Sequence, residues 1–127
     1  MKPPCSCCYY YKWKELDKDA ELIAQKLKHI KFDGVFGPPR GGLPLAVKLS
    51  HLLNIPLFLD GPKSKKTLVV DDIADTGGTL FAYACNGYIT ATLYFHQQSS
   101  CVPTVWLHEK TDKYIVYPWE KQKCHNK

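Results

Sequence analysis

The sequence predicts an α/β domain with a mostly parallel, twisted sheet flanked by helices. Segments with apolar residues at helical spacing alternate with short β-rich runs, and the 127 residues suffice for one domain. Strands that alternate with helices pair in parallel through right-handed crossovers, which place helices on the sheet faces. Ligands of such sheets bind at the carboxyl ends of the strands, so functional residues are expected in the loops that follow them.

The first half of the chain predicts four elements. They are a helix, a strand, a second helix and a second strand, over residues 17–30, 32–37, 43–53 and 55–59. Both helical segments carry apolar residues three and four positions apart, and both strands are short apolar runs. A glycine- and proline-rich turn, 37–42, ends the first strand, and the polar loop 60–66 follows the second.

The second half of the chain predicts five more elements. They are a strand, a helix and three strands, over residues 67–70, 76–85, 88–95, 102–107 and 114–117. The strands are rich in β-branched and aromatic residues, and the helix follows a loop that contains glycine. The loops after Phe36, Val70 and Leu107 therefore reach the carboxyl edge, where ligands are expected.

The net charge of +5 fits either nucleic acid or a phosphorylated small substrate. The basic residues are dispersed except at Lys63, Lys65 and Lys66, and no basic stripe carries interleaved aromatics, so nucleic acid is not expected as a partner. No apolar run approaches the ~20 residues of a membrane span, and residues 1–11 lack the apolar region of a secretory signal. A cytoplasmic protein without a membrane partner is expected.

Three of the six cysteines lie in the first eight residues. The six are Cys5, Cys7, Cys8, Cys85, Cys101 and Cys124. Cys5 and Cys8 have the spacing of half a zinc site, but no second pair follows; Cys124 and His125 would complete one only if the termini meet. Free thiols in a reducing compartment are therefore expected. A zinc- or nucleic-acid-binding protein remains an open alternative.

The segment 68–79, Leu-Val-Val-Asp-Asp-Ile-Ala-Asp-Thr-Gly-Gly-Thr, carries the strongest functional signal. A strand delivers two adjacent carboxylates, Asp71 and Asp72, and a loop with two glycines and two hydroxyls then opens a helix. Backbone amides at glycines and at a helix N-terminus bind anions, so the loop predicts a phosphate site. The carboxylates would repel a phosphate unless they bind ribose hydroxyls or a cation such as Mg²⁺. A sugar phosphate would satisfy both parts of the segment, since its hydroxyls suit the carboxylates and its phosphate suits the glycine loop.

This segment resembles the ribose-phosphate signature of type I phosphoribosyltransferases, in which an apolar strand, two acidic residues and a short variable stretch precede Thr-Gly-x-Thr. The resemblance implies that family's core, with a minimal hood, as a single domain over 1–127. Residues 1–15 and 104–127 would contribute the hood and the base-binding end. The P-loop and dinucleotide motifs are absent from the sequence.

The resemblance also assigns roles to residues. Asp71 and Asp72 would bind the ribose hydroxyls, directly or through Mg²⁺, with Asp72 as a metal ligand. Asp75 would be the catalytic residue, exchanging the N7 proton of the purine as the N9–C1′ bond forms. Thr76 to Thr79 would hold the 5-phosphate. The residues expected to contact phosphoribosyl diphosphate are Arg40, Gly41, Asp71, Asp72, Ile73, Ala74, Asp75, Thr76, Gly77, Gly78 and Thr79.

Two further segments support this interpretation. Pro-Arg-Gly-Gly at 39–42, which holds the only arginine of the chain, is similar to the diphosphate loop of purine-type members. The segment 106–120 is similar to the base-binding end of hypoxanthine, guanine and xanthine phosphoribosyltransferases. There Lys110 would contact the 6-oxo group, Tyr114 would stack on the base, and Ile115 would offer backbone groups, while Asp75 also contacts the base.

The implied reaction joins a 6-oxopurine to phosphoribosyl diphosphate, with Mg²⁺ as cofactor, in a purine salvage enzyme that forms a homodimer or homotetramer. One departure from the family pattern concerns the long loop that covers the active site, because only residues 60–66 occupy its place. Lys63, Lys65 and Lys66 could still reach the diphosphate, but a span of seven residues is a poor lid. A regulatory protein that binds a nucleotide or phosphoribosyl diphosphate without turnover is the alternative.

Overall fold

The computed structural model describes residues 7–74, 78–99 and 102–120, which form seven strands and three helices. In chain order these are β1 Cys8–Tyr10, α1 Trp13–Leu27, β2 Gly34–Phe36, α2 Leu43–Leu53, β3 Leu57–Phe58, β4 Thr67–Ala74, α3 Thr79–Ala84, β5 Thr90–Phe95, β6 Val105–Glu109 and β7 Tyr114–Val116. Strands β2 to β6 form one parallel sheet, which confirms the predicted architecture, and their order is β3-β2-β4-β5-β6.

Helices α1 and α2 cover one face of this sheet, and the main core lies between them and the strands. Its fully enclosed members come from both helices and from the central strands β4 and β5: Leu16, Ile23, Leu45, Leu49, Leu68, Val70 and Leu93. Each such side chain stabilises the fold by roughly 1.5–3 kcal/mol. Helix α3 covers the other face, where a smaller cluster surrounds Val69 and Leu80. The central strands are thus held rigidly from both sides.

The boundaries of several elements differ from the prediction. Helix α1 starts at Trp13 rather than 17, because the Glu15 side chain accepts the Lys12 backbone N–H and so caps an earlier first turn. Strand β4 continues to Ala74, because its pairing with β5 extends from Val69 to Ala74, with Asp71 opposite Thr92. Helix α2 has the predicted bounds, and β6 joins the main sheet beside β5.

A second, two-stranded sheet lies apart from the first and forms the hood. Strands β1 and β7 pair in parallel, with Cys8 opposite Tyr114. The prediction missed β1, since three residues show no period of their own and gain strand geometry only from β7. The next residue, Tyr11, is buried and anchors the hood. Its ring meets three aromatic rings edge-on at 5.5–6.3 Å: Tyr94, Tyr117 and Trp119.

The state of the cysteines corrects one expectation. Cys7, Cys8 and Cys85 are disulfide-bonded, so the expectation of free thiols is wrong for these three. The sequence alone does not tell which thiols the fold brings together. Cys7 Sγ lies 3.7 Å from Cys8 Sγ, beyond the ~2.05 Å of a disulfide, so these two are not bonded to each other. Residues 5, 101, 124 and 125 lie outside the described residues.

Two structural features bear on other classes of function. Within residues 7–74, 78–99 and 102–120, no group of three or more His, Cys, Asp and Glu side chains could hold a metal ion. The bonded state of Cys8 also removes one thiolate from the zinc site considered above. None of the described helices is long and apolar enough to cross a membrane.

Candidate active site

The carboxyl end of β4 places two acidic side chains at the centre of the sheet edge. Asp71 and Asp72 lie between β2 and β5, and Asp71 Oδ1 accepts the Asp72 backbone N–H at 2.8 Å. Burial, and then the charge of the Asp72 carboxylate, raise the pKa of Asp71 to about 8. Burial also raises the pKa of Asp72. Two partly buried carboxylates side by side favour a cation or hydroxyl donors as their partners.

The oxygen donors of this pair fit Mg²⁺. Mg²⁺ prefers hard oxygen ligands and is commonly bound by one or two carboxylates, with the remaining positions filled by water and substrate phosphates. The raised pKa of Asp71 agrees with a pair that no cation of the described residues neutralises, because a nearby ammonium or guanidinium would lower the pKa. The residues that would hold the ion are Asp72 and its neighbour Asp71.

The turn 37–42 packs directly against the acidic pair. A Cβ atom on Gly41 would lie 2.8 Å from Asp72 Oδ2, and one on Gly42 would lie 2.6 Å from the carbonyl oxygen of Val70. Only glycine permits this approach between the turn and β4. The peptide bond between Pro39 and Arg40 is cis. The turn predicted to bind diphosphate therefore contacts the strand predicted to bind ribose.

Arg40 and Gly41 also line a cleft of about 940 Å³ that the hood closes on its other side. Trp13 and Trp119 form its aromatic wall, with ring centroids 5.6 Å apart, and Glu120 lies at its rim. The pKa of Glu120 is raised by burial and by the charge of the Asp72 carboxylate. Clefts of this size commonly hold drug-sized or nucleotide-sized ligands.

A hydrogen bond joins the hood to the acidic strand. The Tyr117 hydroxyl donates to the backbone carbonyl oxygen of Asp72 at 3.4 Å, and the Tyr117 and Trp119 rings stack with centroids 4.9 Å apart. The segment after β7 therefore crosses from the β6 side of the sheet to the turn that contains Arg40.

The loop predicted to hold the 5-phosphate is described only at its ends. Ile73 and Ala74 are the last residues of β4, and Gly78 and Thr79 begin α3, with Gly78 as the extended N-cap residue. The predicted roles of Asp75, Thr76 and Gly77 fall on residues outside the described part of the chain. The described flanks are the end of β4 and the start of α3, and the roles predicted for the loop stay predictions.

The predicted base-binding residues lie at the hood. Tyr114 is 37% exposed at the start of β7, whereas the Ile115 side chain is buried, so only backbone groups of Ile115 can meet a ligand. Lys110 follows β6, and its Nζ donates to the backbone carbonyls of Thr111 at 3.1 Å and Lys113 at 3.3 Å. The Lys110 ammonium is therefore engaged within the turn that leads into the hood.

Sequence reasoning missed two polar features near the site. Asp19, 4% exposed, accepts the Tyr11 hydroxyl at 2.6 Å and contacts His108 Nε2 at 2.9 Å, which ties α1 to the end of β6. His96 directly follows β5, and its backbone N–H donates to the carbonyl of Ala74 at 2.9 Å. The sequence could have indicated His96, because it directly follows a predicted strand and residues in that position reach the carboxyl edge of the sheet.

The short loop 60–66 is anchored at the opposite end of the sheet. Ser64 Oγ and Thr67 Oγ1 each donate to the Asp33 carboxylate at 2.6 Å, at the amino ends of β2 and β4. Lys65 Nζ donates to the Asn86 carbonyl, and it lies 4.3 Å from the ring of a tyrosine, Tyr88, that precedes β5. Lys65 is therefore engaged away from the acidic pair, whereas contact of Lys63 or Lys66 with the diphosphate stays a prediction.

Comparison with known structures identifies the fold. No model of a known protein family matches the sequence, and no curated protein matches it significantly. A purine phosphoribosyltransferase from Pyrococcus horikoshii Ot3 is 31% identical, with a TM-score of 0.80 over 95% of this chain and 99% of its own.

More distant structures share the fold. A xanthine-guanine-hypoxanthine phosphoribosyltransferase from Helicobacter pylori is 20% identical, with a TM-score of 0.76 over 89% of this chain and 92% of its own. A Neisseria gonorrhoeae protein with bound ppGpp is 19% identical, with a TM-score of 0.70 over 88% of each chain. Adenine and orotate phosphoribosyltransferases also match. Together with the 31% identical relative, these matches show that the chain belongs to the type I phosphoribosyltransferase family.

Proposed function

We propose that the protein transfers 5-phosphoribose from phosphoribosyl diphosphate to a 6-oxopurine base, which is hypoxanthine, guanine or xanthine. The contact between Gly41 and the Asp72 carboxylate supports this proposal most directly. Because of this contact, the turn proposed to bind the diphosphate and the carboxylates proposed to bind the ribose are close enough to hold one molecule of phosphoribosyl diphosphate. The purine phosphoribosyltransferase at 31% identity supports the same class of reaction.

In the proposed reaction, the bond between C1′ and the diphosphate oxygen breaks while the bond from C1′ to the purine N9 forms. Asp71 and Asp72 hold the ribose hydroxyls, and Arg40 with the amide of Gly41 holds the diphosphate that leaves. Mg²⁺, held by Asp72, would supply charge neutralisation for that leaving group. Asp75 accepts the proton that the purine loses from N7. Positive charge at C1′ is stabilised by the neighbouring carboxylates.

The remaining proposed contacts are those of the protein with the 5-phosphate and with the base. Backbone amides from Ile73 to Thr79, with the hydroxyls of Thr76 and Thr79, are proposed to hold the phosphate. Tyr114 provides an exposed aromatic face for the base, and the backbone of Ile115 provides groups for its edge. Positioning of the two substrates contributes most of the expected rate enhancement.

An assay of nucleotide formation tests the proposal. Purified protein is mixed with phosphoribosyl diphosphate, Mg²⁺ and one of hypoxanthine, guanine, xanthine or adenine, and the nucleotide is separated by chromatography. Product with a 6-oxopurine, lost in EDTA and in Asp72→Ala, is expected. Preference for adenine would overturn the 6-oxopurine assignment. Asp112→Ala, at an exposed residue of the β6–β7 turn, is the matched control that should keep activity.

A regulatory protein that binds the same ligands without turnover is a second candidate function. The observation that favours it is the anchoring of loop 60–66 to Asp33, which leaves no long loop to exclude water from the site. The structurally similar Neisseria gonorrhoeae protein with bound ppGpp is consistent with a nucleotide as ligand. Calorimetry with phosphoribosyl diphosphate separates the candidates, because binding without product formation for any base supports regulation.

A further inference from the structure

We propose that Tyr117 is a positioning residue for the ribose site, because its hydroxyl holds the backbone of Asp72 through a hydrogen bond to the carbonyl oxygen. This inference rests on the proposed function and extends it to a hood residue that acts through Asp72. Asp72 belongs to the central strand β4, whereas Tyr117 directly follows β7. The binding of phosphoribosyl diphosphate would therefore depend on the hood as well as on the sheet.

The backbone of Asp72 lies beyond the support of the neighbouring strand β2. The pairing of β2 with β4 ends with Phe36 opposite Val69, three residues before Asp72. The Asp72 N–H donates to Asp71 Oδ1 at 2.8 Å, and this carboxylate is itself proposed to bind ribose. The Tyr117 hydroxyl, which donates to the Asp72 carbonyl at 3.4 Å, reaches the same residue from outside the main sheet. The orientation of Asp72 therefore depends on a contact with the hood.

The ring of Tyr117 is held firmly enough to position its hydroxyl. Tyr117 is buried, and its ring stacks on that of Trp119 with centroids 4.9 Å apart and an angle of 12° between the planes. The rings of Tyr11 and Tyr94 meet it edge-on, at 5.5 Å and 6.5 Å. Aromatic pairs of both geometries are favourable beyond the area they bury. Rotation of the ring away from Asp72 would break these contacts.

The Tyr117 hydroxyl is a donor at neutral pH. Burial, and then the charge of the Asp72 carboxylate, raise the pKa of Tyr117 above its ordinary value. The phenol therefore keeps its proton, and the backbone carbonyl of Asp72 is an acceptor for it.

The length of this hydrogen bond predicts where its effect appears. A distance of 3.4 Å between hydroxyl and carbonyl exceeds the ~2.7–2.8 Å typical of O–H···O bonds, so the bond contributes little to the stability of the fold. Hydrogen bonds that orient active-site groups commonly tighten in the substrate complex. A substrate bound by Asp72 and covered by the hood would draw Tyr117 and Asp72 together. The bond should therefore contribute more to substrate affinity than to folding.

Kinetics and calorimetry of Tyr117→Phe test the inference, since this change removes the hydroxyl and keeps the ring. We expect the KM and the dissociation constant of phosphoribosyl diphosphate to rise about 3–10-fold, with kcat and the KM for the base within about twofold of wild type. Tyr11→Phe is the matched control, because Tyr11 belongs to the same aromatic cluster but its hydroxyl bonds to Asp19 at 2.6 Å. It should lower the urea midpoint more than Tyr117→Phe does and leave the KM for phosphoribosyl diphosphate unchanged.

The two substrates separate positioning from a general structural role. Tyr114 and Ile115, which are predicted to bind the base, belong to β7, the strand that leads to Tyr117. If the hydroxyl only stabilised the hood, Tyr117→Phe would raise the KM for the base and lower the urea midpoint instead. That result would overturn the inference, as would an unchanged affinity for phosphoribosyl diphosphate.

A second background shows whether the effect passes through the Asp72 carboxylate. In Asp72→Ala the carboxylate is absent, so the added change Tyr117→Phe should weaken the calorimetric affinity for phosphoribosyl diphosphate by less than about twofold. A further loss as large as that in the wild-type background would overturn the inference. A wild-type protein that binds phosphoribosyl diphosphate but forms no nucleotide would refute the proposed transfer, while the calorimetric comparison still decides the role of Tyr117. A wild-type protein that does not bind phosphoribosyl diphosphate would overturn both.

Discussion

Gly41 lies so close to Asp72 that a Cβ atom on the glycine would come within 2.8 Å of the Asp72 Oδ2 atom. This contact couples the turn 37–42 to the acidic pair. Gly41→Ala should therefore displace the Asp72 carboxylate and weaken the binding of phosphoribosyl diphosphate on the order of tenfold, measured by calorimetry. Gly87→Ala is the control, because Gly87 has a positive φ and open space around it. It should lower stability and leave affinity unchanged.

The cations of the chain should divide into one that binds substrate and several that do not. Arg40→Ala removes a charge-assisted donor from the cleft and should raise KM for phosphoribosyl diphosphate about 10–100-fold. Lys65→Ala removes an equal charge at the other end of the sheet, where it contacts Asn86 and Tyr88. It should leave KM unchanged. A larger effect from Lys65 than from Arg40 would contradict the placement of the loop.

Asp33 should make stability depend on pH in the acid range. Its pKa is lowered, first by the hydroxyl of Ser64 and then by that of Thr67. The ionised carboxylate therefore stabilises the folded chain above the ordinary pKa of aspartate, and the contribution is lost as the pH falls through the lower, folded-state pKa. Asp33→Asn should lower the unfolding free energy by about 1 kcal/mol at pH 7, since Asp33 is near solvent and its bonds are screened.

The measurement for Asp33 is urea unfolding at several pH values. The difference between wild type and Asp33→Asn should shrink toward zero as the pH falls below that folded-state value. Asp112→Asn, at an exposed residue, provides the baseline. A difference that stays constant with pH would show that packing, rather than the charge of the carboxylate, accounts for the effect.

Asp19 should be among the most sensitive polar residues of α1. Asp19→Ala leaves the buried Tyr11 hydroxyl without its acceptor, which should cost about 1–3 kcal/mol of unfolding free energy. Tyr11→Phe combined with Asp19→Ala should cost less than the sum of the single changes, because both partners are then removed. Asp17→Ala on the same helix breaks only an exposed pair with Lys48 and should cost under about 1 kcal/mol. Equal losses of unfolding free energy in Asp19→Ala and Asp17→Ala would contradict the view that the buried Tyr11–Asp19 hydrogen bond is the more stabilising contact.

The features that the sequence predicts correctly have a local cause. Helix α2 repeats leucines at helical spacing, and its bounds are as predicted. The Asp71–Asp72 pair lies at the carboxyl end of a buried strand because a run of apolar residues precedes it. The predictions that the structure alters depend on pairing between distant segments. Strand β1 exists because of β7, and the site of loop 60–66 depends on Asp33, so neither leaves a periodic pattern.

The base-binding end shows the same limit at the level of single residues. Lys110 and His96 both follow a strand, and only the order of the strands shows that His96 is the nearer of the two to the acidic pair. The assignment of Lys110 to the 6-oxo group rests on a resemblance between short segments and stays a prediction. The position of His96 beside Ala74 could not be predicted, because it depends on the pairing of β4 with β5.

The parallel pairing of β1 with β7 has a consequence for synthesis of the chain. A nascent chain can form the β4 strand and its flanking helices while β7 is still within the ribosome, since domains begin to fold during synthesis. The hood cannot form then, because β1 waits for β7, which is translated after every strand of the main sheet. A chain that stops after β6 would therefore keep the main sheet but lack the strand that pairs with β1.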